Sequence, residues 1–219
     1  MNTLLAPALT VVHEDAHLLV LDKPAGLLCV PGRGEDKQDC LSARATARWP
    51  DARVVHRLDM ATSGLVLMAR SPEVQRALGD AFAAQQVWKR YEAVVNGVLD
   101  ESPHWSVIDA PLMADWPRRP LQKIDPAGKP SLTRWRVLEP LPSMRASRLL
   151  LEPRTGRTHQ LRVHLASIGH AILGDALYGD EDHQRRAPRL MLHASVLQFR
   201  HPVTGAAVRF ESPAPFRVP

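Results

Sequence analysis

Cysteine is scarce. Cys29 and Cys40 are the only two, too few for a disulfide framework and too few to fill a zinc site unaided. A reducing cytoplasm is the expected compartment. No apolar run reaches the ~18 residues that a membrane-crossing helix needs. The opening MNTLLAPALTVV carries no basic stretch and soon meets Glu14 and Asp15, so no signal peptide is expected. Phosphate-cradling glycine loops are missing as well, since PGRGEDKQD fits neither the dinucleotide nor the triphosphate fingerprint. There is no G-x-S-x-G elbow for a serine hydrolase, and Ser63 before Gly64 reads as a turn residue. Internal repeats and low-complexity tracts are absent.

What is present is a chain of 219 residues with 45% hydrophobic content, long enough for a sizeable core. No linker interrupts it, so a single domain over 1–219 is expected. The net charge of +5 is unevenly placed: residues 145–209 hold ten Arg and five acidic residues, while the remainder balances. Arginine forks suit phosphates and stack on bases, which points to a polyanion partner. A solvated basic face is the plainer reading.

Periodicity and turn signals outline the elements. TVVHEDAHLLVLDKPAG reads as two short strands around a Glu-Asp turn. DCLSARATARWP suggests a helix capped by Asp39 and stopped at Pro50. GLVLMAR is a continuous apolar run of strand length, expected to be buried on both faces. SPEVQRALGDAFAAQQ has Ser71 as N-cap, Pro72 at the first position and Val74, Leu78, Ala81 and Phe82 at helical spacing. YEAVVNGVL, TRWRV and ASRLLLEP read as strands, THQLRVHLASIGH as a short helix ended by Gly169, and the C-terminal segment as a hairpin turning at HPVTG. Residues 111–130, rich in proline and basic side chains, read as a long ordered loop of the kind that is often functional. The sum is an α+β fold with a mixed, mainly antiparallel sheet flanked by helices and loops.

Asp59 stands at the turn into the apolar strand, where a carboxylate is partly desolvated and stays ionised if a cation is near. Arg57 and the arginines of RTGRTHQLRVH are candidates; a turn-capping role for Asp59 is the plainer alternative. His56, His159 and His164 invite a metal reading, but His159 and His164 are five apart and share no helix face, so no metal is expected. Tyr91 is a core aromatic by default and otherwise a ring that stacks on a base. Trp116 could be a hydrophobic plug, but Arg118 and Arg119 beside it favour an RNA-facing loop.

Four segments, in order, resemble the RluA family of pseudouridine synthases: LDKPAGLL, HRLDMATSG, KRYEAVVNG and RTGRTHQLRVHLASIGHAILGDALYG. The resemblance runs from about residue 11 to the C-terminus. It implies isomerisation of specific uridines to pseudouridine in structured RNA, with VPGR and ADWPRRPLQK pointing to the branch that modifies both large-subunit ribosomal RNA and transfer RNA. It further implies Asp59 as nucleophile, Tyr91 packed on the base, Arg162 paired with Asp59, and Arg57 filling the vacated stack. His56, Trp116, Arg118, Arg119, Arg157 and His159 complete the RNA-facing set. Neither cofactor nor metal is required. A monomer with ribosomal and transfer RNA stem-loops as partners, no membrane association and no S4-type RNA-binding domain is the expectation. A non-catalytic RNA-binding module is the alternative, but it would not need Asp59 or Tyr91.

Overall fold

In the computed structural model, which describes residues 9–216, β1 (Thr10–Glu14) and β2 (Leu18–Lys23) form the expected antiparallel hairpin. Residues 1–8, where most of the leader-peptide reading lies, are outside the described residues. The turn is built on Asp15, whose carboxylate accepts the His17 and Leu18 amides at 2.7 and 2.8 Å. Helix α1 (Leu41–Arg48) is capped by Cys40 and not by Asp39. Leu41 N–H donates to the Leu28 carbonyl and Ser42 N–H to that of Cys29, which fixes Cys40 in extended backbone with its sulfur on the Ala43 amide. Asp39 instead grips Arg44 with both oxygens, at 2.7 and 2.6 Å.

The two-residue strand β3 (Arg53–Val54) and β2 both pair with β4 (Ser63–Ala69), every residue of which is buried. Helix α2 (Pro72–Ala83) starts as expected, with the Ser71 hydroxyl accepting the Val74 amide at 3.2 Å and with Val74 and Leu78 facing inward.

From Val87 the chain builds a second compact unit. Its antiparallel strands are β5 (Trp88–Asn96), β6 (Ser106–Asp109), β9 (Leu132–Leu141) and β10 (Ala146–Pro153), in the order β5-β10-β9-β6. Residues 111–130 are no irregular loop. They form a small antiparallel hairpin of β7 (Leu112–Ala114) and β8 (Gln122–Ile124), with a single helical turn at Trp116–Arg118 as its tip. Strands of three residues are too short to show alternation, which is why the hairpin escaped the sequence. Helix α3 (Gln160–Ser167) is buried over Gln160–Leu165, polar residues included. The short α4 (Glu181–Arg185), capped by Asp180, was not expected.

Strand β11 (Leu192–Arg200) carries the chain back to the first unit, which ends with β12 (Ala207–Glu211). Between them the HPVTG turn closes through His201 N–H to Ala206 O and Gly205 N–H to His201 O, each 2.8 Å. Gly205 sits at φ +70°, a conformation that side chains disfavour.

The two faces of the second unit's sheet differ. Tyr91, Ala93 and Val95 alternate with Arg90 and Glu92, and Tyr91 lies opposite Leu151. On the charged face, buried Glu152 takes Arg90 at 2.9 Å and Arg134 at 3.4 Å, and Arg148 grips Glu92. Arg148, one of the ten arginines of the last third, is therefore paired within the protein. Arg186 is another case, since it donates to the Asn96 side chain and to the carbonyls of Met144 and Arg145.

Candidate active site

Asp59 belongs to an irregular segment between β3 and β4, and contacts within the first unit hold that segment from several sides. Lys23, at the end of β2, is 0% exposed. Its ammonium donates to the carbonyls of Pro24 and Leu27 at 2.8 Å and of Met60 at 3.0 Å. Gly26 N–H reaches the same Met60 oxygen at 2.8 Å. A buried lysine is stable when its donors are used, and here one of them fixes the backbone of Met60, the residue next to Asp59. Nothing in LDKP distinguishes this lysine from a solvated one, and it was missed.

His56 holds the other side. Leu67 N–H, one residue beyond the β3–β4 ladder, donates to His56 Nε2 at 3.0 Å, so the ring carries its proton on Nδ1. The ring stacks on Phe82 with centroids 4.6 Å apart. Leu58 is buried, and its amide donates to Cys29 Sγ at 3.2 Å. Burial pushes the Cys29 thiol up, against the opposing pull of that amide and of the Lys23 and Arg57 charges, so it stays a neutral acceptor. Between these anchors Asp59 is half-buried and Arg57 and Met60 are exposed. Thr62 N–H closes the turn on Asp59 O at 3.1 Å. The segment thus presents a carboxylate on a backbone that has little freedom left.

The second unit carries the other candidates. Tyr91 is half-buried on β5, and Lys89 shares its face of the strand. Burial holds the Lys89 ammonium below the usual lysine range. A side chain at Gly156 would begin 3.9 Å from the Lys89 nitrogen. Arg157 is exposed, with its amide on Gln160 Oε1 at 3.0 Å and its Nε on Pro130 O at 3.3 Å. His159 caps α3 in the left-handed region at φ 55°.

Arg162, 4% exposed, sets two nitrogens on Asp175 at 2.8 and 2.7 Å. Asp175 Oδ1 also accepts the amides of Leu177 and Tyr178 at 2.9 and 3.1 Å, so the carboxylate is itself rigidly placed. Bidentate pairing of this kind fixes the guanidinium plane. Asp175 was not foreseen: it lies thirteen residues beyond Arg162, and which carboxylate meets Arg162 is decided by folding. Two residues along α3, buried His164 donates from Nε2 to Ala110 O at 3.0 Å and accepts from Thr133 on Nδ1 at 2.9 Å. Burial lowers its basicity.

Trp116, Arg118 and Arg119 stand together on the hairpin tip, all exposed, with Trp116 at 66%. Arg119 lies 3.4 Å over the Trp116 ring, and Arg118 is tied to the buried Asp115 at 2.7 Å. One indole face is thus taken by a cation, and an exposed aromatic so placed suits stacking on a base.

The described geometry accords with what the chain is similar to. A family model described as RNA pseudouridylate synthase matches residues 17–167. A dual-specificity RNA pseudouridine synthase RluA of Escherichia coli strain K12 is 43% identical over 211 residues, covering 96% of this chain and 95% of that protein. The Haemophilus influenzae protein of the same name is 38% identical over 216 residues, covering 98% and 97%. Among solved structures, human RNA pseudouridylate synthase domain containing 1 superposes with a TM-score of 0.78 at 31% identity, over 96% of this chain and 85% of that one.

Proposed function

The chain belongs to the RNA pseudouridylate synthase family, and from that premise we propose that it isomerises specific uridines in large-subunit ribosomal RNA and in a transfer RNA anticodon stem-loop, with Asp59 as nucleophile. The observation that carries the catalytic reading is the segment around Asp59. Lys23, Cys29 and His56 fix its backbone while the carboxylate remains partly open. A binding module would have no use for that rigidity.

The target uridine leaves its stack at a cost of a few kcal/mol, and Arg57 takes the vacated place. Asp59 attacks either the uracil ring or the ribose anomeric carbon. The glycosidic bond breaks, the uracil turns, carbon 5 joins the ribose, and the bond to Asp59 breaks to return the free carboxylate. Tyr91 packs on the base and relays the proton that carbon 5 loses, its oxygen accepting that proton as its own passes to solvent, while the freed N1 takes a proton up. Uridine and pseudouridine contain the same atoms, so the reaction balances without a co-reactant. Arg162, oriented by Asp175, serves as the counter-charge of Asp59. His56, Arg118, Arg119, Trp116, Arg157 and His159 contribute to RNA binding, His56 chiefly by shaping the segment. We infer a cytoplasmic monomer with residues 1–219 as one catalytic domain.

Tritium release from 5-labelled uridine tests the reading. Release from both a ribosomal hairpin and an anticodon stem-loop is the expected result. Release from one alone would overturn dual specificity, and release from neither would overturn the activity.

A further inference from the structure

We infer that Tyr178 is a positioning and specificity-determining residue: its hydroxyl ties the exposed 112–124 hairpin to the helix that carries Arg162, so that loop recognition and arginine placement are coupled. The inference rests on the function proposed above and deepens it.

The hydroxyl meets two elements at once. Gln122 N–H, at the start of β8, donates to it at 2.8 Å, and His159 Nδ1, at the cap of α3, lies 2.7 Å away. The amide donates to one lone pair of the hydroxyl, and the hydroxyl and Nδ1 share a second hydrogen bond. Tyr178 is anchored from behind as well. Its amide donates to Asp175 Oδ1 at 3.1 Å, and Arg162 binds that same oxygen at 2.7 Å. Its ring lies under the Arg162 guanidinium at 5.2 Å and meets His159 edge-on at 5.6 Å.

The hairpin end of this chain of contacts is short. Asp115 N–H donates to Leu121 O at 2.9 Å, so Gln122 directly follows the residue that closes the Trp116–Arg119 tip. Where the backbone of Gln122 is held, the tip is held. A backbone amide bonded to a side chain from 56 residues away is a tertiary constraint, and no local turn rule supplies it. The occupant such a tip selects is an RNA stem-loop with splayed, unstacked bases, because the exposed Trp116 offers a stacking face beside two arginines.

Tyr178→Phe keeps the ring and removes the hydroxyl alone, so the fold is retained; near-ultraviolet circular dichroism checks this. In the RNA-free variant, hydrogen exchange over 112–124 should rise several-fold while α3 stays protected. The ratio of kcat/KM for the anticodon stem-loop to that for the ribosomal hairpin should shift by about tenfold. Trp116→Ala should shift it in the same direction, and the double variant should show less than the product of the two. Unchanged exchange over 112–124 would overturn the coupling. An unchanged ratio, an equal loss on both RNAs, or full additivity would overturn the specificity role. If wild-type protein released no tritium, the proposed activity would fall, yet the exchange experiment and the ratio of dissociation constants for the two hairpins would still decide the case of Tyr178.

Discussion

Asp59→Asn preserves the shape of the side chain and removes the nucleophile. Tritium release should vanish while RNA affinity stays within roughly tenfold, about 1.4 kcal/mol, because phosphate contacts dominate binding. Filter binding beside the release assay checks both halves. Arg162→Lys keeps a charge but loses the planar fork on Asp175, so it should turn over slowly, and Arg162→Ala more slowly still. Asp175→Ala leaves a buried guanidinium without that partner. It should cost about 3–5 kcal/mol in urea unfolding, and Arg162→Ala should suffer less, since the buried Asp175 carboxylate it leaves behind still accepts the Leu177 and Tyr178 amides. Equal stability of Asp175→Ala and wild type would show that the ion pair is dispensable.

At the scale of elements, the β1–β2 turn and α3 respond to acid in different windows. Burial opposes the Asp15 charge, but hydrogen bonds from His13 and from the His17 and Leu18 amides outweigh it and hold the carboxyl well below the usual range. A depressed carboxyl stabilises the fold above its unfolded value of ~3.9 and loses that contribution as pH falls below it. Asp15→Asn should therefore lower the melting temperature at pH 6 and flatten its fall below about pH 4. His164 acts earlier. Burial keeps it neutral, the unfolded chain binds the proton more readily, and stability declines as pH drops through the ordinary histidine range near ~6.5. Melting curves of wild type and Asp15→Asn from pH 7 to 3 should show the variant retaining the first decline and losing much of the second.

For the whole molecule, the +5 charge governs encounter with RNA, but its location alone does not say which arginines touch phosphate. Arg148, Arg162 and Arg186 are largely enclosed by protein groups, whereas Arg157 and Arg185 are exposed and make surface contacts, to the Pro130 carbonyl and to Glu181. Log affinity against log salt should fall with a slope of about −0.7 per phosphate neutralised. Replacing Arg157 and Arg185 by alanine should flatten that slope by about 1.4 if each neutralises one phosphate, without changing which uridine reacts. Arg186→Ala should instead lower stability with little effect on the slope, having three acceptors inside the second unit to abandon. Fluorescence titrations at several salt concentrations distinguish the two outcomes.

Local physics made a large part of this legible from residues alone. The seven buried residues of β4, the Ser71 cap, the hairpin at HPVTG and the α+β class follow from hydrophobic period and turn chemistry, which act over a few residues. The family motifs, with Asp59 inside one of them, were legible for the same reason: they are short strings. Tertiary structure alone decided the rest. Cys40 displaced Asp39 as cap because Leu28 and Cys29 pin the helix start from outside it. Lys23 is buried because three carbonyls converge on its ammonium, one of them 37 positions away. The 112–124 hairpin gains its anchor from Tyr178, and Arg162 finds Asp175 thirteen residues on. In each of these a polar group is satisfied by a distant partner. Burial makes such satisfaction compulsory, but which partner provides it depends on how the chain returns through space, and no local pattern records that.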